Sequence, residues 1–379
     1  MRRQALSVVV TLTIATVMLG AAPAGAQQLS RVSLDSVGAL DLFRGDGTSG
    51  NPGASFDISG VVRIGGGWSA QIRPWFFKSS SAGSLWNREL YQAAVKYERN
   101  GALSTRLDAG FITSPIGLGM LDMRADVNPT IQTHMSYVMP LLAFDTSAPS
   151  VRAISSSYPL GANLTLSTTT WDARAALVSS SPTRRYAVNS RTPNPKATPV
   201  VIAGGGVTPR PGLRIGTSFA SGHYATADEL KVAGGDRTFL TWTAEGEFAV
   251  NYTKLSAELT RTRFDSGAAR SVASTWFVQG MQTLTPRWFV AARHEAIETP
   301  PMAIWGPAAT SRWYRSSEAS AGYRVTPELT LRASLNAVRG YTATTTDTRV
   351  GVRDRLVAAL VVVASRYGVG PAFGSCASR

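Results

Sequence analysis

Leu329-Thr330-Leu331-Arg332-Ala333-Ser334-Leu335-Asn336-Ala337-Val338 is the stretch that decides the fold. In an extended chain Leu329, Leu331, Ala333, Leu335 and Ala337 share one face, and Thr330, Arg332, Ser334 and Asn336 share the other. A period of two is a strand signal. The pattern recurs along the chain. Leu107, Ala109 and Phe111 oppose Arg106, Asp108 and Gly110; Leu255, Ala257 and Leu259 oppose Lys254, Ser256, Glu258 and Thr260; Trp288, Val290 and Ala292 oppose Arg293 and Glu295. Strands of ~9–11 residues with one apolar and one polar face are what a transmembrane barrel needs. The polar face must then look onto water inside, so the expected fold is all-β, a transmembrane antiparallel β-barrel enclosing a channel.

Turn signals set the strand count. Gly65-Gly66-Gly67, Asn100-Gly101, Thr208-Pro209-Arg210-Pro211-Gly212, Thr285-Pro286-Arg287 and Thr326-Pro327-Glu328 read as tight connections. Longer connections fall near 44–54, 79–88, 114–156, 181–197, 222–236, 298–312 and 340–351. With the first strand at 31–43 and the last at 352–367, about sixteen strands put the long loops on one side and both ends on the other, the asymmetry of outer-membrane barrels. Fourteen or eighteen strands stay open. The stretch 149–172 decides parity: either Tyr158-Pro159-Leu160-Gly161 or Thr169–Asp172 is the turn, and the second keeps the count even.

The chain divides into 1–26, 27–367 and 368–379. The first segment reads as a secretory signal peptide, with Arg2 and Arg3, an apolar run from Ala5 to Leu19, and Ala24-Gly25-Ala26 as a cleavage site. The second is the barrel. The third is a tail carrying Cys376, the single cysteine, so no internal disulfide exists. The formal charge is +14. Lysines are few (Lys78, Lys96, Lys196, Lys231, Lys254), so arginine supplies most of the positive charge. An exported chain without a basic run excludes nucleic acid as a partner. It leaves outer-membrane lipid, the phosphates of lipopolysaccharide and anionic solutes.

Facing follows from alternation, because a lipid-facing arginine at mid-bilayer costs ~2–4 kcal/mol. The expected pore-lining set is Arg63, Arg73, Lys96, Arg106, Asp108, Arg174, Lys254, Glu258, Arg293, Arg324 and Arg332. Its mild basic excess would favour anions. Tyr91, Ala93, Val95 and Tyr97 are expected to face lipid. Aromatics near strand ends, among them Trp75, Phe77, Trp242, Trp276, Phe277, Trp288, Phe289, Trp313 and Tyr314, suit the interfacial girdles. The longest connection, 114–156, is unusually apolar, with Ile116, Leu118, Met120, Ile131, Met135 and Leu141. Such a loop wants burial, either inside the barrel or against another subunit. Folded inward, it would bring Asp122, Arg124, Asp126 and His134 to a constriction.

Two stretches carry a resemblance. Leu107-Asp108-Ala109-Gly110-Phe111-Ile112-Thr113-Ser114-Pro115-Ile116-Gly117-Leu118 resembles the Gly-aromatic…Pro-hydrophobic-Gly pattern that opens the third loop in porins of the phosphate-selective O/P type. The hairpin Gly322–Ala333 resembles their closing part. The resemblance implies a sixteen-stranded, trimeric, general or anion-preferring diffusion channel with a long inward-folding third loop. The chain departs from it in lacking a dense lysine and arginine ladder: 114–156 carries only Arg124 and Arg152 as bases. It also runs past Tyr367, so the terminal aromatic of such barrels falls at Tyr367 or Phe373.

Other chemistries find little support. His134, His223 and His294 are scattered, with no pair at ligand spacing, so no metal and no cofactor is expected. No Gly-x-Ser-x-Gly elbow is present, and Gly204-Gly205-Gly206 leads into turn sequence, not into a helix as a phosphate loop would. The expected function is passive diffusion of small hydrophilic solutes, without enzymatic activity. The competing expectation is a plugged barrel acting as an adhesin, a scaffold or a lipid-modifying enzyme, marked by a filled lumen and a Ser–His pair on the lipid face.

Overall fold

The computed structural model describes residues 31–45, 52–79, 84–141, 151–188, 196–231, 235–265, 270–299, 312–341 and 352–367. The expected leader and the tail with Phe373 and Cys376 lie outside the described residues.

Sixteen strands alternate direction: β1 (Val32–Gly45), β2 (Pro52–Gly65), β3 (Trp68–Lys78), β4 (Asn87–Arg99), β5 (Ser104–Phe111), β6 (Leu160–Ser167), β7 (Trp171–Val178), β8 (Val200–Arg210), β9 (Leu213–Ala225), β10 (Arg237–Val250), β11 (Thr253–Asp265), β12 (Arg270–Thr283), β13 (Trp288–Thr299), β14 (Arg312–Arg324), β15 (Leu329–Tyr341) and β16 (Val352–Arg366). Each pairs with its sequence neighbours, and β1 closes on β16 from Ser36↔Arg366 to Gly45↔Val357. Closure removes every sheet edge, which a lipid-immersed sheet requires. The parity choice at 149–172 holds: β6 ends at Ser167 and Trp171 opens β7.

Short turns crowd one rim. At Gly65-Gly66-Gly67 all three φ angles are positive (112°, 60° and 87°), and a Cβ at Gly67 would stand 2.5 Å from the Glu98 carbonyl oxygen. Only glycine makes that turn without strain. Outward positions form an exposed apolar belt that includes Leu240, Trp242, Leu255, Leu259, Trp276, Val278, Leu335 and Leu360. Inward positions between them are buried and polar, such as Thr241, Thr243 and Glu245 along β10. The alternation therefore has the sign expected of a barrel that meets lipid outside.

One register break changes the facing of a strand. Arg73 pairs with Gln92 and Pro74 pairs with Leu90, which leaves Tyr91 as the extra residue of a bulge on β4. Pro74 has no N–H to give the ladder, so a break there costs little. Tyr91 consequently turns inside, not to lipid as alternation alone gives, and stacks on Tyr158 at 4.3 Å. Trp75 lies 4.7 Å from Tyr91 on the same inner face, and Phe77 stacks on Trp75. Phe277, Phe289 and Tyr314 are likewise buried at inward positions. These six belong to the interior, not to the girdles.

The hydrophobic core is thus inside the barrel. Ile112, Ile116, Leu118, Met120, Tyr137, Leu141, Ile154 and Tyr158 of the long connection pack with Val178, Val200, Ile202, Tyr224, Phe264, Phe277, Ile297 and Tyr314 of the wall. Each fully buried apolar side chain of this size contributes ~1.5–3 kcal/mol, enough together to fix a loop that has little regular structure.

Candidate functional site

The connection between β5 and β6 begins as an extension of their hairpin. Ile112 N–H donates to the Pro159 carbonyl and Ser114 N–H to the Ser157 carbonyl. The chain then leaves the wall and crosses the interior. Its backbone groups need partners there, since an unpaired buried amide costs as much as a lost hydrogen bond. Inward side chains of the wall supply them. Glu258 on β11 accepts from Leu118 N–H at 2.5 Å, Gly119 N–H at 3.2 Å and Tyr137 Oη at 3.0 Å. Glu295 on β13 accepts from Met135 N–H at 2.9 Å. Glu318 on β14 accepts from the N–H groups of Ile131 (2.9 Å) and Gln132 (3.1 Å).

Two arginines serve the carbonyl groups. Arg293 donates to Gln132 O at 2.6 Å and reaches Glu318 at 3.3 Å. Arg332 donates to Thr130 O at 3.0 Å and also to the Asn128 and Ala125 carbonyls. At the far end Ala125 and Ile131 rest on Val37, Ala39, Val361 and Val363, inward residues of β1 and β16. The segment from 116 to 137 is therefore bonded along the inner wall from β11 round to β15, and it touches β1.

A second connection, between β7 and β8, covers the first. Thr183 O accepts from Arg152 N–H at 2.8 Å, and Tyr186 O accepts from Tyr158 N–H at 2.8 Å. Arg184 pairs with Glu229 at 2.8 Å and Arg185 with Glu89. Nothing in the 181–197 stretch announced this docking except the adjacent pair of arginines.

All eleven residues expected to line the pore stand at inward positions, but only some of them border a cavity. Arg63, Arg73, Lys96 and Arg124 line a cavity of about 320 Å³ with Asp35, Ser59, Ser69, Gln71 and Glu98. Arg73 also holds Asp57, with Nε 2.9 Å from each carboxylate oxygen. Arg106 lies beside this cavity, bonded to Asp108 at 2.9 Å, and Lys96 stands 3.8 Å from Asp108. Lys254 pairs with Glu247 at 3.4 Å, and Arg324 lies over the Phe289 ring at 5.0 Å near the short-turn rim. Glu258, Arg293 and Arg332 depart from the expectation. They face inward but are buried beneath the loop as its anchors.

The constriction set divides in the same way. Arg124 reaches the cavity, held by Asp126 at 2.6 and 2.7 Å, and its guanidinium lies 5.8 Å from the Tyr367 ring, whose hydroxyl donates to Asp126. Asp122 and His134 do not line an opening. Asp122 is buried and accepts from Gln279 at 2.7 Å. His134 is completely buried, 3.6 Å from Asp122 and 4.4 Å from the Phe277 ring centroid, and neither ring nitrogen has a hydrogen-bond partner among the described residues. Burial first, and the Arg293 charge second, push its imidazole down to about 4, against the pull of Asp122. It is neutral at pH 7.

Arg174, expected at the pore, belongs to a further charged group whose other members were not foreseen. Arg214 grips Asp172 through two bonds of 2.7 and 2.9 Å, and Glu245 accepts from Arg174 at 2.6 Å with Arg214 3.4 Å away. These guanidiniums lie over inward glycines. A Cβ on Gly204 would stand 3.0 Å from Arg174 Nε, and one on Gly206 2.9 Å from Arg214 Nη2. The Gly204-Gly205-Gly206 run is a shelf for arginines. On the outer face, His294 Nδ1 lies 2.7 Å from Ser317 Oγ.

No protein-family profile matches the chain, and no curated protein matches its sequence. Solved structures do share the fold. OmpF of Salmonella typhi, in complex with daunomycin, superposes with a TM-score of 0.58 at 10% identity, over 88% of this chain and 97% of that one. The outer membrane channel DcaP of Acinetobacter baumannii gives 0.55 at 13% identity, over 91% and 100%. OmpT, an outer membrane protein of Vibrio cholerae, gives 0.54 at 9%, over 91% and 100%. The chain has the fold of the outer-membrane porins: a closed, antiparallel barrel of sixteen strands.

Proposed function

We propose that the protein is an outer-membrane porin, a general diffusion channel for small hydrophilic solutes with a mild preference for anions. The observation that carries the reading is the cavity on the β2–β4 wall, where Arg63, Arg73, Lys96 and Arg124 outnumber Asp35 and Glu98. The inward segment fills the β11–β15 side, so solutes pass along the opposite wall. Arg124 narrows that passage, and the field of its arginines favours anions, as cationic side chains do in pores. Size exclusion and this field are the whole mechanism. No step calls for a cofactor or for bond chemistry. The general class fits better than the phosphate-selective one, because Arg73, Lys96 and Arg124 each have a carboxylate within 4.0 Å. Lipopolysaccharide surrounds the barrel, and the trimer is its expected assembly.

Single-channel recording in a planar bilayer under a salt gradient tests the reading. Steady conductance with an anion-selective reversal potential is the expected result. A folded barrel that does not conduct would overturn it.

A second reading rests on His294 and Ser317, a hydrogen-bonded pair on the lipid face, together with the filled side of the interior. Such a pair suits a lipid-acyl hydrolase. Against it, the histidine uses Nδ1, the nitrogen that an orienting carboxylate would need, and no carboxylate lies within 4.0 Å of its ring among the described residues. Acyl hydrolysis by the refolded barrel, abolished in Ser317→Ala, would establish it. Equal background in both proteins would remove it.

A further inference from the structure

The last strand carries its inward alternation one residue past its end. Val357, Ala359, Val361 and Val363 of β16 are buried at inward positions, and the same period places Ser365 and Tyr367 inward too. Tyr367 therefore turns to the lumen, not to a lipid girdle, and meets the loop there. Its hydroxyl donates to Asp126 Oδ2, and its ring lies 5.8 Å from the Arg124 guanidinium. The same Oδ2 accepts from Arg124 Nη2 at 2.7 Å, while Oδ1 accepts from Nε at 2.6 Å. A pair between residues two apart fixes two side chains to each other, not to the wall. Arg332 holds the backbone at this point, through the Ala125 carbonyl. Tyr367 holds the side chains. More than half of the tyrosine is exposed, so burial does little to set its place and its polar contacts do more. Arg63, Arg73 and Lys96 reach the cavity from strands, whereas Arg124 reaches it from the loop and needs such a tie.

We propose that Tyr367 is a positioning residue for charge selection: its hydroxyl on Asp126 and its ring beside Arg124 hold that guanidinium at the cavity. The inference rests on the porin reading, in which Arg124 narrows the path. An untied arginine samples many rotamers, and its charge is spread over the space it sweeps. Tyr367 acts on both ends of the ion pair. The hydroxyl gives the carboxylate a charge-assisted hydrogen bond, and the ring attracts the cation. The field at the narrowing is then that of a charge kept in one place. Because Tyr367 follows the strand that closes the barrel on β1, the tie exists only once β16 is paired. Selection by the loop thus depends on closure of the barrel.

The test uses the full barrel refolded into a planar bilayer, with the reversal potential read under a salt gradient. Tyr367→Ala should move it towards cations by at least half of the shift that Arg124→Gln gives. Tyr367→Phe, which keeps the ring, should move it by less. In the Arg124→Gln barrel the same tyrosine substitution should add nothing, a coupling that general loosening of the barrel would not produce. No shift in Tyr367→Ala, or an equal shift with and without Arg124, would overturn the assignment. A second measurement does not depend on conduction. Labelling of Arg124 by phenylglyoxal, read by peptide mass spectrometry, should run about tenfold faster in Tyr367→Ala, the factor that one lost charge-assisted hydrogen bond allows. Equal labelling rates would overturn the tie. If Tyr367→Ala does not fold, Tyr367→Phe serves in both measurements, and values equal to those of the intact barrel would overturn it. A barrel that labels as expected but conducts nothing leaves the tie standing and removes the pore.

Discussion

Two stretches of the inner wall are written in the same alternating code and end in opposite states. On β2–β4 the inward charges, Arg63, Arg73, Lys96 and Glu98, border an open cavity. On β11–β15 five inward charges, Glu258, Arg293, Glu295, Glu318 and Arg332, are buried under a loop and bonded to its backbone. An inward position thus has two possible partners, water or another segment of chain. Alternation distinguishes inside from outside, but what occupies the inside is decided by the loop.

The sharpest way to break the contrast is to truncate one arginine from each wall. Arg332→Ala leaves the buried carbonyls of Ala125, Asn128 and Thr130 without that donor, and should cost about 3–5 kcal/mol. Arg63→Ala removes a solvent-facing charge and should stay within about 0.5 kcal/mol. Thermal unfolding of the refolded barrels, followed by heat-modifiable mobility, checks the pair. Equal effects would mean that the loop is not fastened as described.

Acid should act on the covered wall through His134. His134 has its folded value pushed down to about 4, below the ordinary ~6.5 of a free histidine. Between those values the unfolded chain binds the extra proton, so stability rises with pH. The contribution of neutral His134 is complete above pH ~6.5 and is lost as pH falls towards about 4, up to about 3 kcal/mol in all. Loop detachment, read as conductance noise or as protease sensitivity of the 119–139 segment, should grow over that window. His134→Phe should flatten it, because a ring without a proton site stays in the same apolar setting.

The glycine shelf gives a smaller effect. Gly206→Ala places a methyl 2.9 Å from Arg214 Nη2 and also 2.9 Å from the Ile215 carbonyl oxygen, so the wall must shift. A loss of about 1–3 kcal/mol is expected, as for other overpacked sites. Gly101→Ala, where the nearest atom would stand at 3.8 Å, should be close to neutral by the same thermal assay.

The barrel itself was legible because each strand repeats its own evidence: the strands and their inward charges follow from a period of two, while the turn signals and the need for an even number set the count at about sixteen. The apolarity of Ile116, Leu118, Met120 and Met135 announced a loop that seeks burial. What stayed hidden has physical causes. The acceptors for Arg332 are backbone carbonyls, which any sequence has, so no residue type marks them. Tyr91 changed sides through one bulged residue, and only Pro74 on the neighbouring strand hinted at the break. Phe277, Phe289 and Tyr314 were read as girdle residues on the premise that an inner face is wet throughout. His134 and Asp122 were placed at an opening because they are polar, whereas the loop buries its polar side chains along with its apolar ones.

The last contrast is the smallest in stability and the closest to function. Arg63 and Arg124 both border the cavity, one from the wall and one from the loop. Reversing either should leave unfolding nearly unchanged for Arg63. For Arg124 a modest cost follows from losing the pair with Asp126, one-fifth exposed on the arginine side. Selectivity should respond differently. Arg124→Glu sets a carboxylate against Asp126 at the narrowing, and the reversal potential should move towards cations. Arg63→Glu, at the exposed rim beside the short turns, should move it the same way by less, because a field acts most where the walls approach and water screens least. Equal shifts from the two variants would place the narrowing elsewhere. A shift from Arg63→Glu alone would show that the loop does not border the path at all.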